Sequence, residues 1–301
     1  MTTEKIDKKV CIIGFGKVGT SVAYEFTDIG YNIRDIIISK TGHTNKLQNE
    51  SNWKYSSAIN SKIIQRNNIF VFCLKDDNLQ KYITKLKKYD FKEKYLLHTS
   101  GILTSKIFKA LKIEKSKIAS FHPIQTFNKI SGYNKKLLNK IYFGFEGGAK
   151  IKLLLKSAVK KLNSKIIIIK PENKSLYHLI CVFASNFLIA YLNVLNKISK
   201  SVFIEHQNQF DILKPLIQNT LNNLFNDGFI KSLTGPHIRN DVETVKSHLI
   251  ILKKRFPEFI DLINSLAFET IGIARKSGKI TEEQSKKLIK LHKKYANEQN
   301  N

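Results

Sequence analysis

Cysteine is scarce in this 301-residue chain, and the cysteines that occur form no recognisable motif. The three, Cys11, Cys73 and Cys181, include no Cys-x-x-Cys pair, which argues against a disulfide scaffold or a zinc site. Each lies within an apolar run, so we interpret them as small buried side chains in a reducing compartment. We expect no metal centre.

The sequence also lacks a segment typical of a signal peptide or a membrane span. Residues 1–9 are polar and charged and lead directly into a predicted strand. The longest apolar run, Leu179 to Leu192, is shorter than the roughly 20 residues that cross a bilayer, and it contains Ser185 and Asn186. We therefore expect a cytoplasmic protein without a membrane partner.

Arginine is scarce although the chain is strongly basic. The formal net charge is +27, yet only five of the 51 basic residues are arginine. Arginine supplies most bidentate and stacking contacts to nucleic acids, and no nucleic-acid recognition motif is visible. The abundance of Lys, Asn and Ile resembles an AT-rich coding bias. We expect no specific nucleic-acid partner, and non-specific attraction to polyanions stays open.

The most informative stretch is Val10 to Gly19, where an apolar run leads into Gly-x-Gly-x-x-Gly and then into an amphipathic helix pattern. Strand, tight turn and helix in this order are the context that the dinucleotide fingerprint requires. Gly14 permits the turn, Gly16 lets the backbone approach a pyrophosphate, and Gly19 lets the helix pack on the strand. The alternative is a glycine-rich turn that binds nothing. The predicted cofactor contacts are Gly14, Phe15, Gly16, Lys17, Val18 and Gly19.

Strand patterns alternate with helix patterns over the first 170 residues, and only helix patterns follow. The predicted strands include a short third one near Ser61 to Ile64 and a central one over Asn68 to Leu74. This alternation predicts an α/β fold with a doubly wound, mostly parallel Rossmann sheet, followed by an all-helical domain. We place the two domains at residues 1–170 and 171–301.

The end of the second predicted strand, Ile33 to Ser39, discriminates between NAD and NADP. An acidic residue there binds the ribose hydroxyls of NAD, whereas hydroxyl and basic groups accept a 2′-phosphate. Asp35 is followed by three isoleucines and is predicted to lie inside the strand. The strand end is Ser39-Lys40-Thr41, which favours NADP over NAD.

Two polar clusters follow later strands, at the edge where open α/β sheets bind ligands. The first is His-Thr-Ser-Gly at residues 98–101. Ser100 is a candidate cofactor contact, whereas His98 is interpreted as a structural histidine.

The second cluster is His-Pro-Ile-Gln-Thr-Phe at residues 122–127. His122 is a catalytic candidate, and Gln125 and Thr126 are candidate substrate contacts. Because Pro123 fixes a turn, a purely structural role for His122 stays open.

A third polar cluster lies on the long helix predicted over Leu176 to Lys197. Ser185 and Asn186 follow His178 by seven and eight residues, so the three share one stripe of the helix. The rest of the helix is apolar on most faces, which predicts that it is buried. Buried polar groups need partners. A ligand could supply them, and satisfied helix-to-sheet hydrogen bonds are the alternative.

Residues 233–241, Leu-Thr-Gly-Pro-His-Ile-Arg-Asn-Asp, end one predicted helix and begin the next. Asn240 or Asp241 is predicted to cap the second of these helices. Arg239 precedes the cap. It could bind a substrate carboxylate bidentately, or it could form an ion pair with the cap region.

Together these motifs resemble a biochemically uncharacterised family that joins an N-terminal Rossmann-like domain to a C-terminal helical domain of unknown function. The His-Pro-x-Gln-Thr-Phe and Leu-Thr-Gly-Pro motifs are the most specific. The resemblance is carried by the glycine turn and by residues 98–101, 121–127, 145–147, 177–178, 183–186 and 233–239.

The resemblance implies the 6-phosphogluconate dehydrogenase-like superfamily, with its pyrroline-carboxylate and ketopantoate reductases. It further implies an NADP cofactor, a substrate held between the two domains and a helical domain that often dimerises. Many superfamily members carry a catalytic Lys and Asn on the first helix of the second domain. The matching helix here offers His178, Ser185 and Asn186, with Lys174 at its start. This departure from the family pattern leaves the identity of the proton donor open.

The sequence therefore predicts an NADP-dependent oxidoreductase acting on a small carbonyl, imine or hydroxy compound in the cleft between the domains. His178 is the predicted general acid/base, because an imidazole titrates near neutral pH, and His122 is the second candidate. Ser185, Asn186 and Gln125 would orient the reacting group. The alternative is an NADP-binding sensor or interaction protein without catalysis. A homodimer is the expected assembly.

Overall fold

The computed structural model describes residues 8–38, 52–128, 136–203 and 208–297. The chain divides into two compact units, Met1–Asn186 and Phe187–Asn301. The last strand of the sheet ends at Ile168, but Lys174 and Tyr177 still hydrogen bond to sheet residues. The predicted boundary after residue 170 stays a prediction.

The first unit is built on eight strands among its described residues. They are β1 (Lys9–Ile13), β2 (Asn32–Ile37), β3 (Lys54–Ser56), β4 (Ile69–Phe72), β5 (Tyr95–His98), β6 (Ile118–Pro123), β7 (Tyr142–Gly147) and β8 (Lys165–Ile168). Their order in the sheet is β3-β2-β1-β4-β5-β6-β7-β8. Only β6 and β7 pair antiparallel among these neighbours. The predicted doubly wound, mostly parallel α/β fold is confirmed.

Both faces of the sheet are covered, as β1 illustrates. Val10 and Ile12 join one apolar cluster, whereas Cys11 and Ile13 join the cluster on the other face. A parallel strand buried on both faces carries apolar residues at successive positions. The α-helices of this unit are α1 (Lys17–Asp28), α2 (Ser61–Arg66), α3 (Asp76–Lys85), α4 (Ala149–Lys161) and α5 (Lys174–Val182).

The third strand predicted near Ser61 to Ile64 is wrong, because these residues form the start of helix α2. Asn60 caps this helix, and its side-chain oxygen accepts a hydrogen bond from the Ile63 N–H at 3.0 Å. The cap satisfies a backbone donor that a helix leaves free, and this outweighs the strand propensity of two isoleucines. The third strand is β3, which precedes this helix.

Asp35 lies inside β2, as predicted, and is fully buried. Its carboxylate accepts hydrogen bonds from Arg66 Nε at 2.9 Å and from Asn67 Nδ2 at 2.6 Å. A buried carboxylate requires such partners. Asp35 therefore joins β2 to the end of α2, and its oxygens are already engaged by protein groups.

All the secondary-structure elements that the structure describes in the second unit are helices. A cluster of buried residues that includes Val245, Leu249, Ile271, Ala274 and Leu288 forms its core. Its helices are α6 (Leu188–Ser199), α7 (Gln209–Ser232, kinked at Gly228), α8 (Val242–Arg255), α9 (Ile260–Lys276) and α10 (Glu282–Asn297).

The prediction that the long apolar helix is buried is wrong. Between residues 174 and 199 only Lys174, Tyr177 and Ser199 are buried. Helical structure covers Pro171–Ser199, 29 residues, and its most apolar stretch has a mean hydropathy of 1.8 with none of it buried. By length and composition alone this helix could cross a membrane, contrary to the expectation from the shorter apolar run. An apolar pattern shows that a surface needs covering but not which molecule covers it.

Glu25 on α1 is a buried acid with unusual titration. Both carboxylate oxygens accept the Leu138 N–H at 2.9 Å. Burial raises the pKa of Glu25 to about 7, because loss of hydration outweighs the hydrogen bonds to the ionised form.

Glu25→Gln is expected to make stability less dependent on pH. Because the folded pKa of about 7 exceeds the ordinary 4.5, the folded protein holds this proton more tightly than the unfolded chain. That stabilisation is complete below the ordinary pKa and is lost as the pH rises through the folded pKa. Gln keeps an acceptor for the Leu138 N–H without the charge. In urea unfolding, the free energy of unfolding of the variant relative to that of wild type should rise by about 2 kcal/mol between acidic and mildly alkaline pH. Identical pH profiles would contradict the buried charge.

Candidate active site

The glycine turn between β1 and α1 has the shape of a phosphate cradle. Gly14 has a φ of +95°, and a Cβ on it would lie 2.5 Å from the Cys73 carbonyl oxygen. A Cβ on Gly19 would lie 1.9 Å from the Gly14 carbonyl oxygen, so only glycine lets α1 pack this closely on the turn. At Gly16 a Cβ would meet no atom within 4 Å. The backbone is therefore open to a ligand at Gly16.

The N-terminus of α1 carries no side-chain cap, and the first N–H groups of a helix have no partner within it. Gly16 and Lys17 are exposed at this point, whereas Phe15 is buried against Trp53 and Val18 packs on the core. Backbone donors and the helix dipole favour a pyrophosphate here. The residues present fit a dinucleotide.

The remaining predicted cofactor contacts are less informative. Ser39 to Thr41, the proposed contacts of a 2′-phosphate, lie outside the described residues. Ser100 is buried, and its Oγ accepts the N–H groups of Ile102 and Leu103 at 3.3 and 3.0 Å. Ser100 therefore shapes the loop after β5, and its contact with a cofactor stays a prediction.

A pocket of about 330 Å³ lies beside the end of β6 and is lined by α5 and the residues that follow it. Every residue lining it belongs to the first unit. The wall of the pocket includes the thiol of Cys181 and the apolar side chains of Ile124, Val182 and Ala184. Six predicted site residues also line it: His122, Gln125, Thr126, His178, Ser185 and Asn186. The structure thus brings together the polar clusters of β6 and of the helix, while their chemical roles stay predictions.

Two glycines leave room for the aromatic side chains around His122. His122 lies opposite Gly144 in the β6–β7 pair, and a Cβ on Gly144 would lie 2.2 Å from the Tyr177 hydroxyl. The hydroxyl lies 2.6 Å from Nδ1 of His122. Gly101 likewise makes room for His178, whose Cδ2 would be 2.6 Å from a Cβ there.

Lys174, at the start of α5, is buried with its ammonium among oxygen atoms. Nζ donates to Ser120 Oγ at 2.7 Å and to the Ser100 carbonyl oxygen at 3.2 Å. Ser120 Oγ donates to that same carbonyl oxygen at 3.0 Å. Burial lowers the pKa of Lys174 to about 8, an effect that Glu146 opposes. Lys174 therefore brings a positive charge to the ends of β5 and β6 at neutral pH.

Two histidines at the strand ends are neutral because they are buried. Burial lowers the pKa of His122 to about 4, and the nearby Lys174 and His178 add to that shift. Burial also lowers the pKa of His98 to about 3, and His98 Nδ1 accepts the Ser100 N–H at 3.2 Å. The geometry of His98 fits its interpretation as a structural residue.

Ser185 and Asn186 lie in a π-helical turn, Phe183–Phe187, a feature frequent at functional sites. Ser185 Oγ lies 2.8 Å from both the Cys181 carbonyl oxygen and Asn186 Oδ1. Ser185 is half-buried and Asn186 is exposed. The prediction that this polar stripe is buried is wrong for the same reason as the prediction for the whole helix. No described part of this chain covers the apolar surface of the helix.

Arg239 lies in the second unit and is exposed. The nearby Asp241 side chain caps α8 by accepting the Thr244 N–H at 3.1 Å, which confirms the predicted cap. Hydrogen bonds from Thr244 lower the pKa of Asp241, and the Arg239 charge adds to this effect. Both interpretations of Arg239, an ion pair with the cap region and binding of a substrate carboxylate, stay predictions.

Sequence reasoning missed Tyr177 as a site residue and left Lys174 without a role. Lys174, Tyr177, His178, Cys181 and Ser185 follow one another at intervals of three, one, three and four residues. Such spacing places them on one stripe of a helix. This stripe of groups able to hydrogen bond, set in an apolar helix, was the signal available.

Two family models match separate parts of the chain. Residues 9–100 match the model described as NADP oxidoreductase, coenzyme F420-dependent, and residues 141–268 match the domain of unknown function DUF2520. The resemblance seen in the sequence is confirmed: an NADP oxidoreductase region is followed by that uncharacterised helical domain. The N-terminal region is thus of a type whose cofactor is NADP, as predicted. A search of curated proteins finds no match to this chain.

Solved structures share the fold at low sequence identity. A Bacteroides fragilis protein assigned as an NADP oxidoreductase is 21% identical, with a TM-score of 0.68 over 88% of this chain and 98% of that one. Pyrroline carboxylate reductase from Plasmodium falciparum, with NADP bound, is 13% identical, with a TM-score of 0.57 over 94% and 98%. A reductive aminase from Aspergillus terreus, in complex with NADPH and ethyl levulinate, is 15% identical, with a TM-score of 0.56 over 96% and 94%.

Gly16→Ala should weaken NADPH binding without unfolding the protein. A methyl group at Gly16 meets no protein atom within 4 Å but occupies the space of an approaching pyrophosphate. The loss of hydrogen bonds to a charged group lowers the affinity roughly ten- to a hundredfold. Fluorescence titration with NADPH measures the affinity, and thermal unfolding should show an unchanged Tm.

The matched variant is Gly19→Ala, whose methyl group would lie 1.9 Å from the Gly14 carbonyl oxygen. It should lower stability by about 1–3 kcal/mol, because the helix must move away from the turn. If Gly16→Ala bound NADPH as tightly as wild type, the turn would not be the pyrophosphate site.

Proposed function

We propose that this protein is an NADP-dependent oxidoreductase that transfers a hydride to or from a small carbonyl, imine or hydroxy compound. The observation that carries the proposal is the pocket at the end of β6, where six polar side chains converge. The carboxyl ends of β1, β4, β5 and β6 share one sheet edge, and β1 lies about 14 Å from β6. The glycine turn and the pocket are therefore on the same edge, where such sheets bind dinucleotides.

The nicotinamide, when bound, supplies or accepts the hydride, and the protein supplies orientation and proton transfer. His178 is the general acid/base in this proposal, because it is half-buried, lines the pocket and lies next to His122. Ser185, Asn186 and Gln125 orient the reacting oxygen or nitrogen. The bound NADP and NADPH of the structural relatives support the choice of cofactor.

Titration with NADPH and NADH, followed by nucleotide fluorescence, tests the proposal. We expect saturable binding of both, with NADPH bound more tightly. If neither nucleotide bound, the proposed function would be wrong.

His178→Ala should lower turnover by about 10²–10⁴-fold with little effect on NADPH affinity, as expected when a general acid/base is removed. Steady-state NADPH oxidation with an accepted substrate measures this. The matched control is His248→Ala, which removes an exposed histidine of α8 and should retain full turnover. Full turnover by His178→Ala would contradict its role.

A non-catalytic NADP-binding interaction protein is the second candidate, and the exposed apolar residues of α5 and α6 favour it. Leu176, Ile180 and Ile189 are 59%, 60% and 68% exposed, which suits binding of a protein partner. This candidate predicts NADPH binding without oxidation across a panel of carbonyl and imine compounds.

We propose a cytoplasmic location. Support comes from the three cysteines, which are all free, as expected in a reducing compartment.

We propose that a second copy of the chain covers the apolar surface of the helical unit. Ile189, Leu216, Phe225 and Phe229 are exposed there. Closed homodimers are the commonest assemblies, and their interfaces are rich in apolar side chains.

Phe225→Lys is therefore expected to give monomers of 34.6 kDa, where wild type gives twice that mass in light scattering after gel filtration. Because Phe225 is already exposed, the fold of the monomer should not change. Leu153→Lys alters an exposed leucine of α4 and is the control that should stay dimeric. A monomeric wild type would contradict the proposal, and binding of that monomer to lipid vesicles would favour a membrane partner.

A further inference from the structure

The direction of the hydrogen bond between Tyr177 and His122 depends on which ring nitrogen of His122 carries the proton. Tyr177 is buried, and its hydroxyl lies above Gly144 at 2.6 Å from His122 Nδ1. Burial raises the pKa of Tyr177 above its ordinary value, so the hydroxyl keeps its proton. A neutral imidazole nitrogen without hydrogen is an acceptor only. Since a phenol is a better donor than an imidazole N–H, we infer that Tyr177 donates and Nδ1 accepts.

Cys181 is a second hydrogen-bonding partner of the Tyr177 hydroxyl. A thiol is a weak donor and a weak acceptor, so the imidazole nitrogen is the stronger acceptor for the phenol proton. With Nδ1 as an acceptor, a neutral His122 carries its proton on Nε2.

Nε2 of His122 is the nitrogen that a ligand can reach. His122 lines the pocket, and Nε2 has no hydrogen-bond partner in the part of the chain that the structure describes. The titratable groups that face His122 are Tyr177, Lys174 and His178 from α5 and His98 from β5. Lys174 is the charged one at neutral pH, and it disfavours a second positive charge at this place.

Resting on the proposed function, we propose that Tyr177 is a positioning residue that holds His122 as the Nε2–H tautomer, and that the pocket thereby selects a carbonyl substrate over a protonated imine. A carbonyl oxygen has lone pairs that accept the Nε2–H bond. An iminium nitrogen has no lone pair, and the charge of Lys174 repels it. The substrates are then aldehydes, ketones or 2-oxo acids, with the corresponding alcohols in the reverse direction.

The reaction balances with a reduced nicotinamide as the two-electron donor. The hydride forms a C–H bond at the carbonyl carbon, and the electron pair of the C=O π bond passes to the oxygen. A proton from His178 then completes the hydroxyl group. The Nε2–H of His122 and the charge of Lys174 stabilise the negative charge that develops on this oxygen.

Two-bond ¹H–¹⁵N spectra of the histidine side chains test the tautomer. Wild type should show His122 neutral and protonated at Nε2 from about pH 5.5 to pH 8, since its pKa lies at about 4. Tyr177→Phe, which keeps the ring, should give a mixture of both tautomers. Tyr31→Phe is the matched control, because it removes another buried hydroxyl, one bonded to the Leu154 carbonyl. A proton on Nδ1 in wild type, or an unchanged Tyr177→Phe spectrum, would overturn the proposal.

NADPH oxidation with pyruvate, glyoxylate and propanal, compared with 1-pyrroline-5-carboxylate, tests the substrate class. We expect oxidation with at least one carbonyl compound, and none with the imine at a pH at which its nitrogen is protonated. Tyr177→Phe should lower kcat roughly tenfold without changing the Kd for NADPH, and Tyr31→Phe should change neither. Oxidation with the imine alone would overturn the inference and leave the proposed oxidoreductase standing. No oxidation with either class would contradict the proposed function itself, whereas the spectra decide the tautomer independently.

Discussion

The buried ammonium of Lys174 is the constraint on which the geometry of the pocket depends. Its hydrogen bonds to Ser120 and to the Ser100 carbonyl tie the start of α5 to the ends of β5 and β6. A buried charge is costly unless its partners are kept, so α5 cannot slide or rotate freely against the sheet. Tyr177 and His178 follow about one turn later and are therefore held at a fixed position beside His122.

The same lysine sets the electrostatics of the site. A positive charge beside a neutral histidine favours oxygen atoms that gain negative charge, as a carbonyl oxygen does during hydride addition. The histidine is kept neutral mainly by burial, with a smaller effect from Lys174. Lys174 thus both fixes the position of α5 and supplies the positive charge of the site. A variant that replaces Lys174 would disturb both.

The sequence allowed the sheet, the glycine turn and six of the pocket residues to be predicted, because strand ends in a parallel sheet meet at one edge. His122 and His178 are 56 residues apart in the chain, but each stands out locally as a polar residue in an apolar pattern. The bond from Tyr177 to His122 could not be predicted in this way. It depends on Gly144, which comes from β7, the strand that pairs antiparallel with β6.

The exposure of the long apolar helix also could not be predicted from the sequence, for a different reason. The pattern of Leu176 to Lys197 correctly shows a surface that avoids water, yet burial depends on a partner that the chain itself need not provide. The strand prediction near Ser61 to Ile64 was wrong for a local reason. The Asn60 side chain caps a helix that begins at Ser61.

In the proposed function, a nucleotide bound at the glycine turn extends to the pocket of His122 and His178. The most direct measurement is a titration of their side-chain ¹H–¹⁵N signals with NADPH. We expect both signals to shift in proportion to the nucleotide bound, while the signal of His248 stays in place. Saturation of the protein with NADPH and no change at His122 or His178 would contradict it.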